Sequence, residues 1–71
     1  MTTDRATIVY NGQPLDIPVG STIADVLMER QVRTDLIAVE VNMEIVPKQR
    51  HAEQVLCAGD QIEVVTLVGG G

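Results

Sequence analysis

One amphipathic segment stands among several short segments with β-strand patterning, and this constrains the fold more than any other feature. Ile23, Val26 and Leu27 fall at positions i, i+3 and i+4, which predicts an apolar stripe along one helix. A single helix can cover only one face of a β-sheet. The sequence therefore predicts a two-layer α+β domain in which one sheet face stays open.

The ends of this helix can also be predicted. Thr22 can cap the first turn, and Asp25 three residues later completes a capping pair whose charge suits a helix N-terminus. The polar residues 33–35 interrupt the apolar pattern. We expect the helix to begin after Thr22 and to end at residues 33–35.

Turn residues bound the segments with strand patterning. Asn11-Gly12 tolerates positive φ at both positions, as a two-residue type I′ hairpin turn requires, and Pro14 places the returning strand at a sheet edge. The predicted strands are residues 6–10, 13–17, 36–41, 44–46 and 61–68, with irregular helical turns over residues 48–56. We expect residues 1–68 to form one domain.

The size and charge of the chain exclude several classes of protein. Its 71 residues permit one compact domain and leave little chain to wall a catalytic cavity. The net charge of -5 disfavours nucleic acid and anionic membrane surfaces as partners, because both would repel it. Cys57 is the only cysteine, so no internal disulfide can form. Neither a signal peptide nor an apolar run of membrane-spanning length is visible, and we expect a cytoplasmic protein.

Three glycines, Gly69, Gly70 and Gly71, follow the last predicted strand. Glycine loses more conformational freedom on ordering than any other residue, so we expect residues 69–71 to form a flexible tail. This tail could be a frayed end. It could instead thread a narrow channel of a partner that activates its α-carboxylate as an acyl-adenylate, from which a sulfur nucleophile would form a thiocarboxylate. The glycines alone leave both interpretations open.

Motifs elsewhere in the chain decide between the two interpretations. They are Tyr10-Asn11-Gly12, the helix start at residues 22–27 (Thr-Ile-Ala-Asp-Val-Leu), residues 37–48 (Ile-Ala-Val-Glu-Val-Asn-Met-Glu-Ile-Val-Pro-Lys), residues 56–64 (Leu-Cys-Ala-Gly-Asp-Gln-Ile-Glu-Val) and Val68-Gly69-Gly70-Gly71. Each motif is unspecific alone, and residues 37–48 are the most specific of them. Their order and spacing over nearly the whole chain resemble the ThiS family, the sulfur carriers of thiamin biosynthesis.

The resemblance implies a ubiquitin-like β-grasp fold, with a mixed sheet of four to five strands and one main helix packed on one face. It also implies a carrier rather than an enzyme. A ThiF-like adenylyltransferase uses ATP to activate Gly71, a persulfide-based relay enzyme supplies sulfur, and a thiazole synthase consumes the thiocarboxylate. Gly70 and Gly71 match the two terminal glycines of the family, and Gly69 stands where relatives often have another small residue. The resemblance implies no cofactor or metal bound to this chain, and we expect the free carrier to be a monomer.

Alternation along the last predicted strand indicates a docking surface. If Ile62 and Val64 face the helix, Val65 and Leu67 point outward beside the tail. Exposed branched side chains next to the reactive end suggest a patch on which a partner docks. The alternative is that one of them only covers a sheet edge.

Three residues have side chains that could take part in catalysis, but the sequence favours non-catalytic roles for each of them. His51 has no second base or ligand near it in the sequence, which favours a packing or surface role. Cys57 is treated as incidental, because chemistry at the tail needs no carrier cysteine. Asp60 follows a glycine and is interpreted as a turn former.

Several other functions stay open from the sequence. The carrier of molybdopterin synthesis shares the implied fold and tail, although Ile45-Val46-Pro47 followed by Lys48 favours the thiazole carrier. Sulfur carriers for cysteine or specialised metabolites, a ubiquitin-like modifier conjugated to lysines, and a ligand-binding β-grasp module are further alternatives.

Overall fold

The computed structural model describes residues 4–33 and 35–67, which form one sheet with one helix packed on it. The elements are β1 (Arg5–Tyr10), β2 (Gln13–Pro18), α1 (Ile23–Glu29), β3 (Ile37–Val41), β4 (Glu44–Val46), a 3₁₀ turn (Lys48–Arg50) and β5 (Gln61–Thr66). The strand order is β2-β1-β5-β3-β4. Among these described strands, β1 and β5 pair in parallel and the other neighbours pair antiparallel, so the sheet is mixed, as expected.

The first hairpin has the turn that its sequence predicts. Asn11 and Gly12 have φ angles of 48° and 82°, which are the two positive values of a type I′ turn. The returning strand β2, which contains Pro14, lies at an edge of the sheet. The predictions for both the turn and the edge are confirmed.

The helix begins as predicted, with a reciprocal cap. The backbone N–H of Asp25 donates to the Thr22 hydroxyl at 3.1 Å, and the Thr22 N–H donates to the Asp25 carboxylate at 3.0 Å. The predicted stripe of Ile23, Val26 and Leu27 is fully buried against the sheet. Capping and burial together account for a helix of only seven residues.

The predicted end of the helix at residues 33–35 was wrong. The helix stops at Glu29, and Gln31 takes a positive φ of 59°. The N–H groups of Gln31 and Val32 then donate to the carbonyls of Met28 and Leu27 at 3.0 and 2.9 Å. This double closure is a Schellman motif, and it turns Val32 back against the core.

The core lies between α1 and one face of the sheet. Its buried apolar residues are Ile8, Ile17, Ile23, Val26, Leu27, Val39, Val41, Val46, Leu56 and Ile62. Aliphatic residues thus fill the interior of this α+β, ubiquitin-like β-grasp fold, and the other sheet face is left without a covering layer within the described residues. The predicted domain limit at residue 68 and the tail at residues 69–71 lie outside the described residues.

Candidate functional site

The strand that leads to the predicted tail, β5, is central in the sheet. Ile62 on this strand is buried and Val64 packs against the core, whereas Val65 and Leu67 are exposed to 49% and 63%. The alternation therefore places Val65 on the open face, as predicted, and Leu67 is exposed just after the strand. The tail residues Gly69, Gly70 and Gly71 lie outside the described residues.

The beginning of β5 is fixed by side chains from two turns. The Asn42 side chain accepts a hydrogen bond from the Gln61 N–H at 3.0 Å and donates to the Asp60 carboxylate at 3.1 Å. The second oxygen of Asp60 accepts the Cys57 N–H at 2.8 Å. Asp60 is therefore a turn former, as predicted, with both carboxylate oxygens occupied.

The middle of β5 is held by Asn11. Its side-chain Oδ1 accepts the Val64 N–H at 2.7 Å, and its Nδ2 donates to the Val64 carbonyl at 3.4 Å. Its backbone N–H also donates to the Ile62 carbonyl at 2.9 Å. The side chain thus continues the pairing of β1 with β5 beyond the point where the hairpin turns away. The sequence predicts Asn11 only as a turn residue, because its partner Val64 stands 53 positions later.

The open sheet face combines apolar side chains with acidic ones. The register sets Glu40 of β3 opposite Glu63 of β5, and Ile45 of β4 opposite Glu40. Ile45 is 71% exposed. Sequence reasoning missed Ile45 as a surface residue, since its face depends on the register of β4 with β3.

Charge on this face is not neutralised within the described residues. Their one salt bridge, between Arg33 and Asp35 at 3.6 Å, lies on the connection before β3. Glu40 and Glu63 face each other across the two strands, an arrangement that weakens strand pairing. The open face therefore presents uncompensated acidic groups beside exposed apolar side chains.

The helix side of the domain carries a groove of about 370 Å³. It is lined by Ala24, Leu27, Met28, Val32, Lys48, His51 and Ala52. His51 is buried, and its Nε2 donates to the Val46 carbonyl at 3.0 Å, which gives it the packing role expected. Lys48 is the other ionisable side chain in the lining, and the remaining five residues of the lining are apolar.

The remaining candidate residues add no reactive cluster within the part of the chain that the structure describes. Cys57 is an exposed free thiol in the turn before β5. Across residues 4–33 and 35–67, no three His, Cys, Asp or Glu side chains are grouped as a metal site. In the same part of the chain, no helix has the length and apolar character needed to cross a membrane.

Comparisons with known proteins give consistent results. The sequence model of the ThiS family matches residues 8–71. The sulfur carrier protein ThiS of Bacillus subtilis is 46% identical over 50 residues, which are 70% of this chain and 76% of that protein. A thiazole synthase of Paramagnetospirillum magneticum is 38% identical over 64 residues, 90% of this chain, but this chain spans only 20% of that protein's length. The crystal structure of ThiS from Geobacter metallireducens aligns with a TM-score of 0.80 at 22% identity, over 92% of this chain and 99% of that one, and shows the shared fold.

Proposed function

This chain belongs to the ThiS family, and we propose from this that it is a sulfur carrier protein of thiamin biosynthesis. The observation that carries the proposal is the family match, which extends through Gly71. The β-grasp domain would then be the part that partner enzymes recognise and bind, and Gly71 would carry the sulfur.

We propose the following chemistry at Gly71. A carboxylate is a poor electrophile, so a ThiF-like adenylyltransferase would first join it to the α-phosphorus of ATP and release pyrophosphate. A sulfur nucleophile from a persulfide relay enzyme would then attack the carbonyl carbon and displace AMP. This attack leaves an acyl disulfide between Gly71 and the relay enzyme. A thiol reductant would then break its S–S bond, becoming oxidised to a disulfide, and release the thiocarboxylate on Gly71. Gly69 and Gly70 would thread the partner's channel, because the absence of side chains lets them pass a narrow opening.

In this proposal the chain is a carrier and its partners are the catalysts. The groove of about 370 Å³ on the helix side is lined mainly by apolar side chains, and His51 in it is already hydrogen-bonded to the Val46 carbonyl, which favours a substrate-like role for this chain. A thiazole synthase would consume the thiocarboxylate, and the likeness to a segment of a longer thiazole synthase supports this partner. ATP would bind to the adenylyltransferase. We further propose that the carrier acts in the cytoplasm and is a monomer when free.

We propose that Val65 and Leu67 anchor the carrier on the adenylyltransferase. Both are exposed apolar side chains, and both lie within six residues of Gly71. A rigid anchor this close to the reacting carboxylate limits the volume that the carboxylate can explore, which raises its effective concentration at the ATP. Ile45 on the same face would enlarge the contact.

Mass spectrometry after incubation with the adenylyltransferase, ATP and a sulfide source tests the proposal. Gly71 should gain the mass difference between sulfur and oxygen, and tandem fragmentation should place it at the C-terminal residue. Deletion of Gly71, or addition of one alanine after it, should abolish this change. Normal sulfur loading of either variant would refute the role of Gly71.

Cys57→Ser is the matched control. A persulfide on Cys57 would add a whole sulfur atom rather than exchange one oxygen, so the two products differ in mass. The variant should load as the unchanged chain does, because Cys57 is an exposed turn residue away from the tail in sequence.

Isopeptide-linked adducts of Gly71 with lysines, in place of a thiocarboxylate, would favour a protein modifier instead.

A further inference from the structure

The two sides of β5 are paired to different extents. Its antiparallel pairing with β3 continues to Thr66, whereas its parallel pairing with β1 covers only Gln61 and Ile62. Beyond these residues β1 has already entered the Asn11-Gly12 turn. The last part of β5 therefore has a strand neighbour on one side only.

Hydrogen bonds show which backbone groups this leaves open. The Asn42 N–H donates to the Gln61 carbonyl, and the Leu67 N–H donates to the Leu36 carbonyl at 2.8 Å. In an antiparallel pair such contacts recur at every second residue, so Gln61, Val65 and Leu67 direct their backbone groups toward β3. The N–H and carbonyl of Thr66 consequently point to the other side.

On that other side, the backbone groups of every second residue before Thr66 have hydrogen-bond partners. The Asp60 carbonyl accepts the Val9 N–H at 2.9 Å, and the Ile62 carbonyl accepts the Asn11 N–H. Both backbone groups of Val64 bond to the Asn11 side chain. Thr66 is next in this series, and within the described residues neither of its backbone groups has a partner. Asn11 thus marks where the internal pairing stops and an open strand edge begins.

The position of this edge indicates what covers it. Gly71 stands five residues after Thr66 in the sequence. Five residues of extended chain span at most about 18 Å, so an enzyme that holds Gly71 in its active site must lie within that distance of the edge. An unpaired strand edge is satisfied most fully by another extended backbone segment.

We propose that the enzyme that activates Gly71 adds an extended segment of its own chain to β5 at Thr66, as a further strand in the place that β1 leaves vacant. This rests on the proposed carrier function and deepens it. The added strand would fix the direction in which β5 leads into the tail. It would also act through backbone groups, so recognition at this edge would depend little on the Thr66 side chain.

Hydrogen exchange of the unchanged chain tests the proposal without any substitution. The Thr66 amide should exchange rapidly in the free carrier and become protected in the complex with the adenylyltransferase and ATP. The Val65 amide is the internal control, since it faces β3 and should be protected in both states. An unprotected Thr66 amide in the complex would overturn the added strand.

Substitution at the same position provides a second test. Thr66→Pro removes the N–H that faces the open edge and leaves the β3 side intact, whereas Thr66→Ala changes only the side chain. We expect Thr66→Pro to weaken binding to the adenylyltransferase about five- to tenfold, as expected for loss of one net hydrogen bond, and Thr66→Ala to bind as the unchanged chain. Equal binding of both variants would overturn the proposal.

The two proposals fail in different ways. Thiocarboxylate formation on Gly71 with an unprotected Thr66 amide refutes the added strand and leaves the carrier function standing. Protection of Thr66 without thiocarboxylate formation supports the added strand and refutes the carrier function.

Discussion

The side chain of Asn11 should contribute measurably to stability, because it bonds to both backbone groups of Val64 at 2.7 and 3.4 Å. Asn11→Gly removes these two hydrogen bonds. It keeps the turn, since glycine adopts the φ of 48° at this position without strain. Asn11→Ala removes the same bonds. It also puts alanine at a positive φ, a conformation that asparagine tolerates better because its side chain can form local hydrogen bonds.

The magnitudes follow from these geometries. A net hydrogen bond contributes about 0.5–1.5 kcal/mol, and the longer of the two bonds is the weaker, so Asn11→Gly should cost about 1–2 kcal/mol. Left-handed backbone costs an ordinary residue about 1 kcal/mol more, so Asn11→Ala should cost about 2–3 kcal/mol. For a domain of this size the glycine variant should melt roughly 5–15 °C lower.

Urea and thermal unfolding followed by far-UV circular dichroism measure these differences. Asn11→Asp is the matched control, because it keeps the oxygen that accepts the Val64 N–H and loses only the weaker donor. It should be more stable than Asn11→Ala. Hydrogen exchange at Val64 should accelerate in the glycine and alanine variants.

Unchanged unfolding free energy in Asn11→Gly would refute the reasoning. It would show that water replaces the Asn11 amide at Val64 without cost. If only Asn11→Ala lowered the free energy of unfolding, the whole effect would come from the turn conformation and none from the contact with β5.

Further predictions concern the docking surface and the strained turns. Val65→Asp and Leu67→Asp should each weaken binding to the adenylyltransferase by about 1–3 kcal/mol in calorimetric titration, with little change in melting temperature. Val19→Asp, an exposed valine in the connection after β2, is the control, and equal binding of all three variants would place the docking surface elsewhere. Gln31→Gly and Met43→Gly should each stabilise the domain by about 0.5–1 kcal/mol in urea unfolding, because both residues have positive φ. A destabilised variant would show that the original side chain makes a contact worth more than the strain.

The features that the sequence predicted correctly are those determined by residues close together in the sequence. Thr22 and Asp25 are three residues apart, and their cap needs nothing outside the helix. Asn11-Gly12 determines its own turn type, and the exposure of Val65 follows from strict alternation once one face is buried. The family resemblance added the β-grasp fold and led to the proposed function, neither of which a local pattern supplies.

The features that were missed depend on contacts between distant segments. The helix ends early because Val32 packs on the core, which forces Gln31 into a conformation that its own sequence does not favour. The contact of Asn11 with Val64 and the opposition of Glu40 to Glu63 require the register of β5. No pattern within a short window contains that register.

The central position of β5 also affects the order in which the domain can assemble. β1 and β2 pair across a two-residue turn, but β1 cannot pair with β5 until the segment near residue 61 is available. Contacts between positions so far apart in sequence close large loops and slow folding. During synthesis the apolar face of the first hairpin would therefore stay exposed until the last strand is available. Exposed apolar surface and unpaired strands favour aggregation during this time. A partner that docks on β5 would consequently recognise only chains that have completed folding, and incomplete chains would not be loaded with sulfur.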